Sequence, residues 1–316
     1  MSNIREVVLS EVKLNNPVAV TGFPTAGLVG SILAAHMHKM MNLPVIGGYT
    51  SPDLPPYAFV YNGRICPQIR VMAGTPAVKR KKGVKTKSVP KKDRRDVVVI
   101  TTEIAPKPEM SCDLAHSILD TLQRLGVKDL VCFEGVGGID TDGPVVCIPG
   151  SEKTRAMAEE NGIEIMDNGI VRGISGSLML EASLRGLDSM SLVIPASIQT
   201  PDPGAAARFI GPLSAMYPAL AVDDSQLIKE ADVIAQRLQA GNQPEDPTNI
   251  YGRSQCTSHR DSSSLRAQHT ARYPISTPST SRSWGRGYRS RTSWRCPASC
   301  PRALSQPRTG PCPAEW

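Results

Sequence analysis

Short apolar, β-branched runs alternate along this chain with stretches whose apolar positions recur every three or four residues, a pattern that predicts an α/β sheet. Pro17-Val18-Ala19-Val20-Thr21 reads as a strand ending at Gly22, and Leu28, Ile32, Ala35 and Met40 place a helix over Gly27 to Met41. Pro44 to Tyr49 is the next strand. Tyr57 to Tyr61 and Ile65 to Val71 flank Asn62-Gly63, a two-residue hairpin signal because both turn positions need positive φ. Val97-Val98-Val99-Ile100 has the continuous β-branched character of a strand covered on both faces. Leu114, Ile118, Leu122 and Leu125 then form a helical stripe stopped by Gly126, and Leu130 to Phe133 returns to strand. Glu134-Gly135-Val136-Gly137-Gly138 predicts a loop. A helix from about Ser175 to Arg185 leads into a strand over Ser191 to Ile194. Asp202-Pro203 has the residues of an N-cap and first helical position. A last amphipathic helix carries Leu227, Ala231, Ile234 and Leu238, with Asp224 before it and Gly241 after. The expectation is one domain with a mostly parallel sheet flanked by helices.

Composition changes that picture at one point, between Gly252 and Arg253. Residues 253–316 hold 13 Ser and 11 Arg but no Lys, Val, Met or Phe, and only Leu265, Ile275 and Leu304 are large aliphatics. So few apolar residues cannot offset the entropy of ordering the segment, so a disordered tail is expected. Its Arg, Ser, Pro, Cys and Trp content is what a shifted reading frame in GC-rich DNA encodes, so a frameshift or read-through product is the expected origin. The domain is therefore 1–252, with 241–252 as its C-terminal linker. Charge divides at the same place. The whole chain is +7, but the tail alone is +9 and residues 1–252 are −2. The basic balance belongs to the tail, and nucleic acid is not an expected partner of the domain. Within the domain, Lys79 to Arg95 holds ten Lys or Arg against Asp93. It reads as a solvated basic loop, or as a contact for an acidic protein surface or for RNA, though without interleaved aromatics it offers no base-stacking platform.

Four cysteines lie in the domain (Cys66, Cys112, Cys132, Cys147) and four in the tail, with no Cys-x-x-Cys pair. Cys112 and His116 lack a second ligand pair, and His36 and His38 fall on different helix faces, so no metal or other cofactor is expected. Free thiols, an N-terminus without a long apolar run, and no stretch of roughly 18 apolar residues together predict a cytoplasmic protein.

Thr21 to Ser31 joins a strand to a helix and is rich in glycine: Gly22, Gly27 and Gly30. A phosphate cradle at a helix N-terminus is one reading. The Walker lysine and the Gly-x-Gly-x-x-Gly spacing are both missing, which favours tight strand-helix packing. Glu103 and Glu134 are both placed just past strand ends, where ligands of α/β sheets sit. Two carboxylates there are the acid-base candidates of a small-molecule enzyme or binder.

Gly22-Phe23-Pro24-Thr25-Ala26-Gly27-Leu28-Val29-Gly30-Ser31 also resembles the opening motif of the archaeal family related to proteasome assembly chaperone 2. The resemblance continues through Glu134-Gly135-Val136-Gly137-Gly138, Gly169-Ile170-Val171-Arg172-Gly173-Ile174-Ser175-Gly176 and Pro201-Asp202-Pro203-Gly204-Ala205-Ala206, over roughly residues 5 to 240. It implies a nucleoside-phosphorylase-like domain without an established catalytic site. It also implies a homo-oligomer that acts on the proteasome core particle as assembly chaperone or nucleotide-independent activator. In that light Gly22, Gly27, Gly30, Gly135, Gly137, Gly138, Gly173 and Gly176 hold the fold or line a pocket. Some members end in a hydrophobic-Tyr-X triplet that inserts between α-ring subunits, and Ile250, Tyr251 and Gly252 match it. This chain departs from the pattern because Arg253 follows and removes the free carboxylate that would pair with a pocket lysine.

Overall fold

The computed structural model describes residues 3–61, 63–77, 94–137 and 142–239. Asn62, most of the basic run, Gly138, the Ile250-Tyr251-Gly252 triplet and the tail lie outside the described residues.

Eleven strands and seven helices are described. In chain order they are β1 (Arg5–Val8), β2 (Val18–Gly22), α1 (Val29–Met41), β3 (Val45–Thr50), β4 (Phe59–Tyr61), β5 (Arg64–Cys66), β6 (Ile69–Gly74), β7 (Val97–Thr101), α2 (Ser111–Arg124) and β8 (Asp129–Gly137). There follow β9 (Val146–Pro149), α3 (Glu152–Glu160), β10 (Glu164–Ile165), α4 (Gly173–Leu184), β11 (Asp188–Ala196), α5 (Pro203–Arg208), α6 (Ile210–Met216) and α7 (Ser225–Gln239). Nine strands form one sheet in the order β1-β3-β6-β7-β2-β8-β11-β9-β10, and β4 and β5 form a separate hairpin.

The central strands β7, β2, β8 and β11 are mutually parallel. β1, β3 and β6 run antiparallel on one side, and β9 pairs antiparallel with β11 on the other. The sheet is therefore mixed rather than mostly parallel. Residue type reports that a strand is covered, as the fully buried Val18, Val20, Val97 and Val99 are. Direction is set by the connections, which composition does not reveal.

Alternation along each strand sends side chains to two cores. Val20, Val99, Phe133 and Leu192 pack under α1 and α5 to α7, while Ala19, Ile100, Leu130 and Cys132 pack under α2 and α4. Asp202 caps α5 by accepting from the Ala205 amide at 2.8 Å, with Pro203 at the first helical position, as its sequence predicts. Ser151 caps α3 in a reciprocal box with Thr154. The hairpin turn appears at Gly63, with φ 72°, but Pro67 ends β5, so Ile65 to Val71 is two strands and not one.

The hairpin closes over Arg70. The Phe59 ring lies 5.1 Å from its guanidinium, and the Tyr61 ring stands 4.7 Å from that of the buried His38. Among the described residues no helix is long and apolar enough to cross a membrane. Cys66, Cys112, Cys132 and Cys147 carry free thiols.

Candidate functional site

Because β7, β2, β8 and β11 are parallel, their C-terminal ends form one crest, the side on which α/β sheets usually hold ligands. β2 passes into α1 through Phe23-Pro24-Thr25 and a short 3-10 turn, Ala26–Leu28, in which Gly27 has φ 62° and Leu28 φ 53°. That left-handed pair bends the chain back over the strand it has just left.

The bend brings backbone against backbone. A methyl at Gly22 would stand 2.0 Å from the Gly30 carbonyl oxygen, and one at Gly135 would stand 2.2 Å from that of Ala26. At Gly30 the nearest atoms would be the carbonyl oxygens of Phe133 and Phe23, at 2.8 and 2.9 Å. Hydrogen bonds lock the same junction. The Gly135 amide donates to the Thr25 hydroxyl at 2.9 Å, the Asp202 amide to the Gly27 carbonyl at 2.8 Å, and the Thr101 hydroxyl to the Gly22 carbonyl at 2.8 Å. Gly137 lies under Ile198, and Gly176 lies against the Val171 carbonyl. Gly173 starts α4 at φ 65°. The glycines of this junction are thus placed for close packing of backbone on backbone. Gly22→Ala is therefore expected to lower stability by about 1–3 kcal/mol through overpacking. At about 2–4 °C per kcal/mol for a domain of this size, thermal melting will show it; an unchanged midpoint would mean the junction relaxes freely.

The two candidate carboxylates part company. Glu103 follows β7, as expected, and pairs with buried Arg70 at 2.5 Å on the α1 side of the sheet. Glu134 lies within β8, because Val193 to Ala196 of β11 continue the ladder alongside Glu134 to Gly137 and carry the strand through both glycines. It follows Leu130 and Cys132 to the opposite, α4 side. The structure does not assemble them into an acid-base pair.

Glu134 is the chemically unusual group. Burial pushes its carboxyl from 4.5 up to about 7, partly offset by the Ser175 hydroxyl donating to it from the first turn of α4. It can exchange a proton near neutrality. Its neighbour on the same face, Cys132, is pushed up to about 12 by burial and is no thiolate there. Thr25 and Ser175 had no separate signal in the sequence beyond their places in glycine-rich motifs. Neither histidine of α1 joins the crest: His36 is held at 2.7 Å by the Asp223 carbonyl and His38 by the hairpin. His116 bridges α2 to Glu181 of α4 at 3.0 Å. Among the described residues no group of three or more His, Cys, Asp or Glu side chains is placed to hold a metal ion.

Residues 19–240 match the PAC2 family. An uncharacterized protein of Methanocaldococcus jannaschii is 26% identical over 240 residues, which are 75% of this chain and 90% of that protein. The crystal structure of Pyrococcus furiosus PbaA, an archaeal homolog of proteasome-assembly chaperone, is similar at 27% identity and a TM-score of 0.61. It is matched over 76% of this chain and 96% of PbaA. Pyrococcus furiosus PbaB, an archaeal proteasome activator, shares the fold with a TM-score of 0.63 at 18% identity, over 77% of this chain and all of PbaB (100%).

Proposed function

The chain belongs to the PAC2 family, and from that premise we propose that it is a homo-oligomeric, non-enzymatic chaperone or adaptor that binds the α-ring of the proteasome core particle, assembling or activating it. The observation that carries the reading is the likeness to PbaA, which spans nearly the whole of that protein and reaches 27% identity. The crest geometry agrees, since the glycines of the junction serve close backbone packing.

The proposed docking element is Ile250-Tyr251-Gly252. In a chain ending at Gly252, the Tyr251 ring fills an apolar slot between α-subunits and the terminal carboxylate meets a lysine. Such a charge-assisted contact contributes about 1.5–3 kcal/mol, or roughly ten- to a hundredfold in affinity. Several copies on one oligomer add avidity if the linker spans successive pockets. Binding to isolated core particle is therefore expected to be strong for residues 1–252, at least tenfold weaker for the 316-residue chain, and lost from the short form on Tyr251→Ala. Equal binding by all three would remove the triplet from the mechanism.

The second reading, a small-molecule enzyme or binder of nucleoside-hydrolase-like fold, draws on the proton-exchanging carboxyl of Glu134 at the crest. A ligand-induced rise in melting temperature with nucleosides, lost in Glu134→Gln, would favour it.

A further inference from the structure

Side chains, and not a ladder, fasten the β4–β5 hairpin to the domain. Among the described residues its two strands pair only with each other, and Pro55-Pro56 and Pro67 bound it along the chain. Alternation gives it two faces. Val60 and Ile65 are exposed on the outer one, whereas Phe59 and Cys66 are buried on the inner one. Phe59 lies over the guanidinium of Arg70, and Tyr61 lies against the ring of His38 in α1. His38 is 5% exposed, and its Nδ1 has no hydrogen-bond partner among the described residues.

We propose that this hairpin is a pH-dependent strap, closed over α1 and β6 while His38 is neutral and released when His38 takes a proton. A neutral imidazole carries one N–H, but an imidazolium carries one on each nitrogen. Under the closed hairpin the Nδ1–H would be buried without an acceptor, and an unpaired buried donor is costly. The surrounding charges do not relieve it. Arg70 of β6 opposes a second cation, and the Glu103 carboxylate beyond β7, which favours one, is already committed to Arg70 at 2.5 Å. β4 brings the Tyr61 ring, and β5 the exposed Arg64 and the free thiol of Cys66. Burial is the largest influence and holds the His38 pKa below its ordinary 6.5; Arg70 adds to it, while the Leu43 backbone and Glu103 pull the other way.

Once released, the imidazole stands in water and titrates near its ordinary 6.5. Below that pH the released form binds more protons than the closed one. Its share therefore grows as pH falls through about 6.5, by at most about tenfold per pH unit. Above about 7 both forms are neutral at His38 and the strap stays shut. Arg70 is in register with Thr101, the last residue of β7. Release thus bares Arg70 and the rings of Phe59 and Tyr61 on the α1 side of the crest.

Hydrogen exchange of the full chain, read by mass spectrometry at about pH 7.5 and about pH 5 with times scaled to the intrinsic rate, tests the strap. On acidification, wild type is expected to lose roughly tenfold protection in β4 and β5 while β2 and β7 keep theirs. His38→Phe retains a ring against Tyr61 and takes no proton; His38→Gln takes none either, with a smaller side chain. Both variants are expected to protect the hairpin equally at the two pH values. Equal protection of the wild-type hairpin at both pH values would overturn the strap. A loss shared by β2 and β7 would be unfolding of the domain, and would overturn it as well. The same hairpin loss in wild type and in a variant would take the trigger away from His38 and end the proposal.

Discussion

Asp129→Ala is expected to destabilise the fold by about 3 kcal/mol or more, toward the 3–5 kcal/mol typical of breaking a buried ion pair from one side. Asp129 opens β8 at 4% exposure and accepts from Arg95 at 2.5 Å and from Lys153 at 2.9 Å. Lys153 keeps a second partner, Asp188, at 2.7 Å. Among the described residues Arg95 does not keep another anion. Its remaining contacts are the carbonyls of Asn16 and Pro17, at 2.9 and 3.2 Å, and the face of Tyr217 at 5.9 Å. Deleting the carboxylate leaves a guanidinium, its side chain only 22% exposed, with neutral acceptors. Asp129→Asn, which retains an acceptor oxygen, should lose less. Urea unfolding of both variants reads the difference, and a loss under about 1 kcal/mol for Asp129→Ala would place the stabilisation elsewhere.

Glu134→Gln should act in the other direction, increasingly as pH rises from about 4.5 to about 7. The folded carboxyl titrates at about 7 against an ordinary 4.5. The folded state therefore keeps a proton that the unfolded chain releases once the pH passes about 4.5. The stability this proton brings is complete below that pH, declines as pH rises through about 7, and is gone above it. Glutamine stays neutral throughout and can still accept from Ser175. The variant is expected to match wild type within about 1 kcal/mol at pH 5 and to exceed it by about 2–3 kcal/mol at pH 8. Melting curves at the two pH values decide the matter. Parallel pH profiles for wild type and variant would show that Glu134 is solvated and ionised like any surface carboxylate.

The elements that composition could reveal were those with a one-sided or fully buried pattern. The run Val97 to Ile100 became a central strand, and the stripe of Leu114, Ile118 and Leu122 became α2. β1, β9, α3 and β10 gave no expectation: β1 and β10 are short edge strands, and α3 is carried by its Ser151 cap and a mostly polar surface. The loop expected at Glu134 to Gly138 fails for a related reason. Glycine weakens a strand in isolation, but nine consecutive partners along β11 supply the ladder. The family was legible because its signal lies in whole glycine motifs, and those motifs fall inside the stretch matched to PAC2.

The site was less legible. That Gly135 closes on the turn around Ala26 depends on segments more than a hundred residues apart, and the hydroxyl that meets Glu134 comes from another element, at Ser175. Arg95 shows the same limit. It ends a basic run expected to be solvated, yet it is built into the fold through Asp129, a partner 34 positions along the chain.

The position of β2 carries a consequence for the chain as it is made. This strand ends at Gly22, but both of its neighbours come late: β7 is complete at Thr101 and β8 at Gly137. At roughly 5–20 residues per second, some 115 residues of further synthesis keep β2 without its second neighbour for about 6–23 s. Until β7 is made, Val18, Ala19 and Val20, wholly buried in the finished sheet, have no strand on either side. The nascent chain itself therefore presents a target for the cell's folding helpers before it can serve any partner of its own.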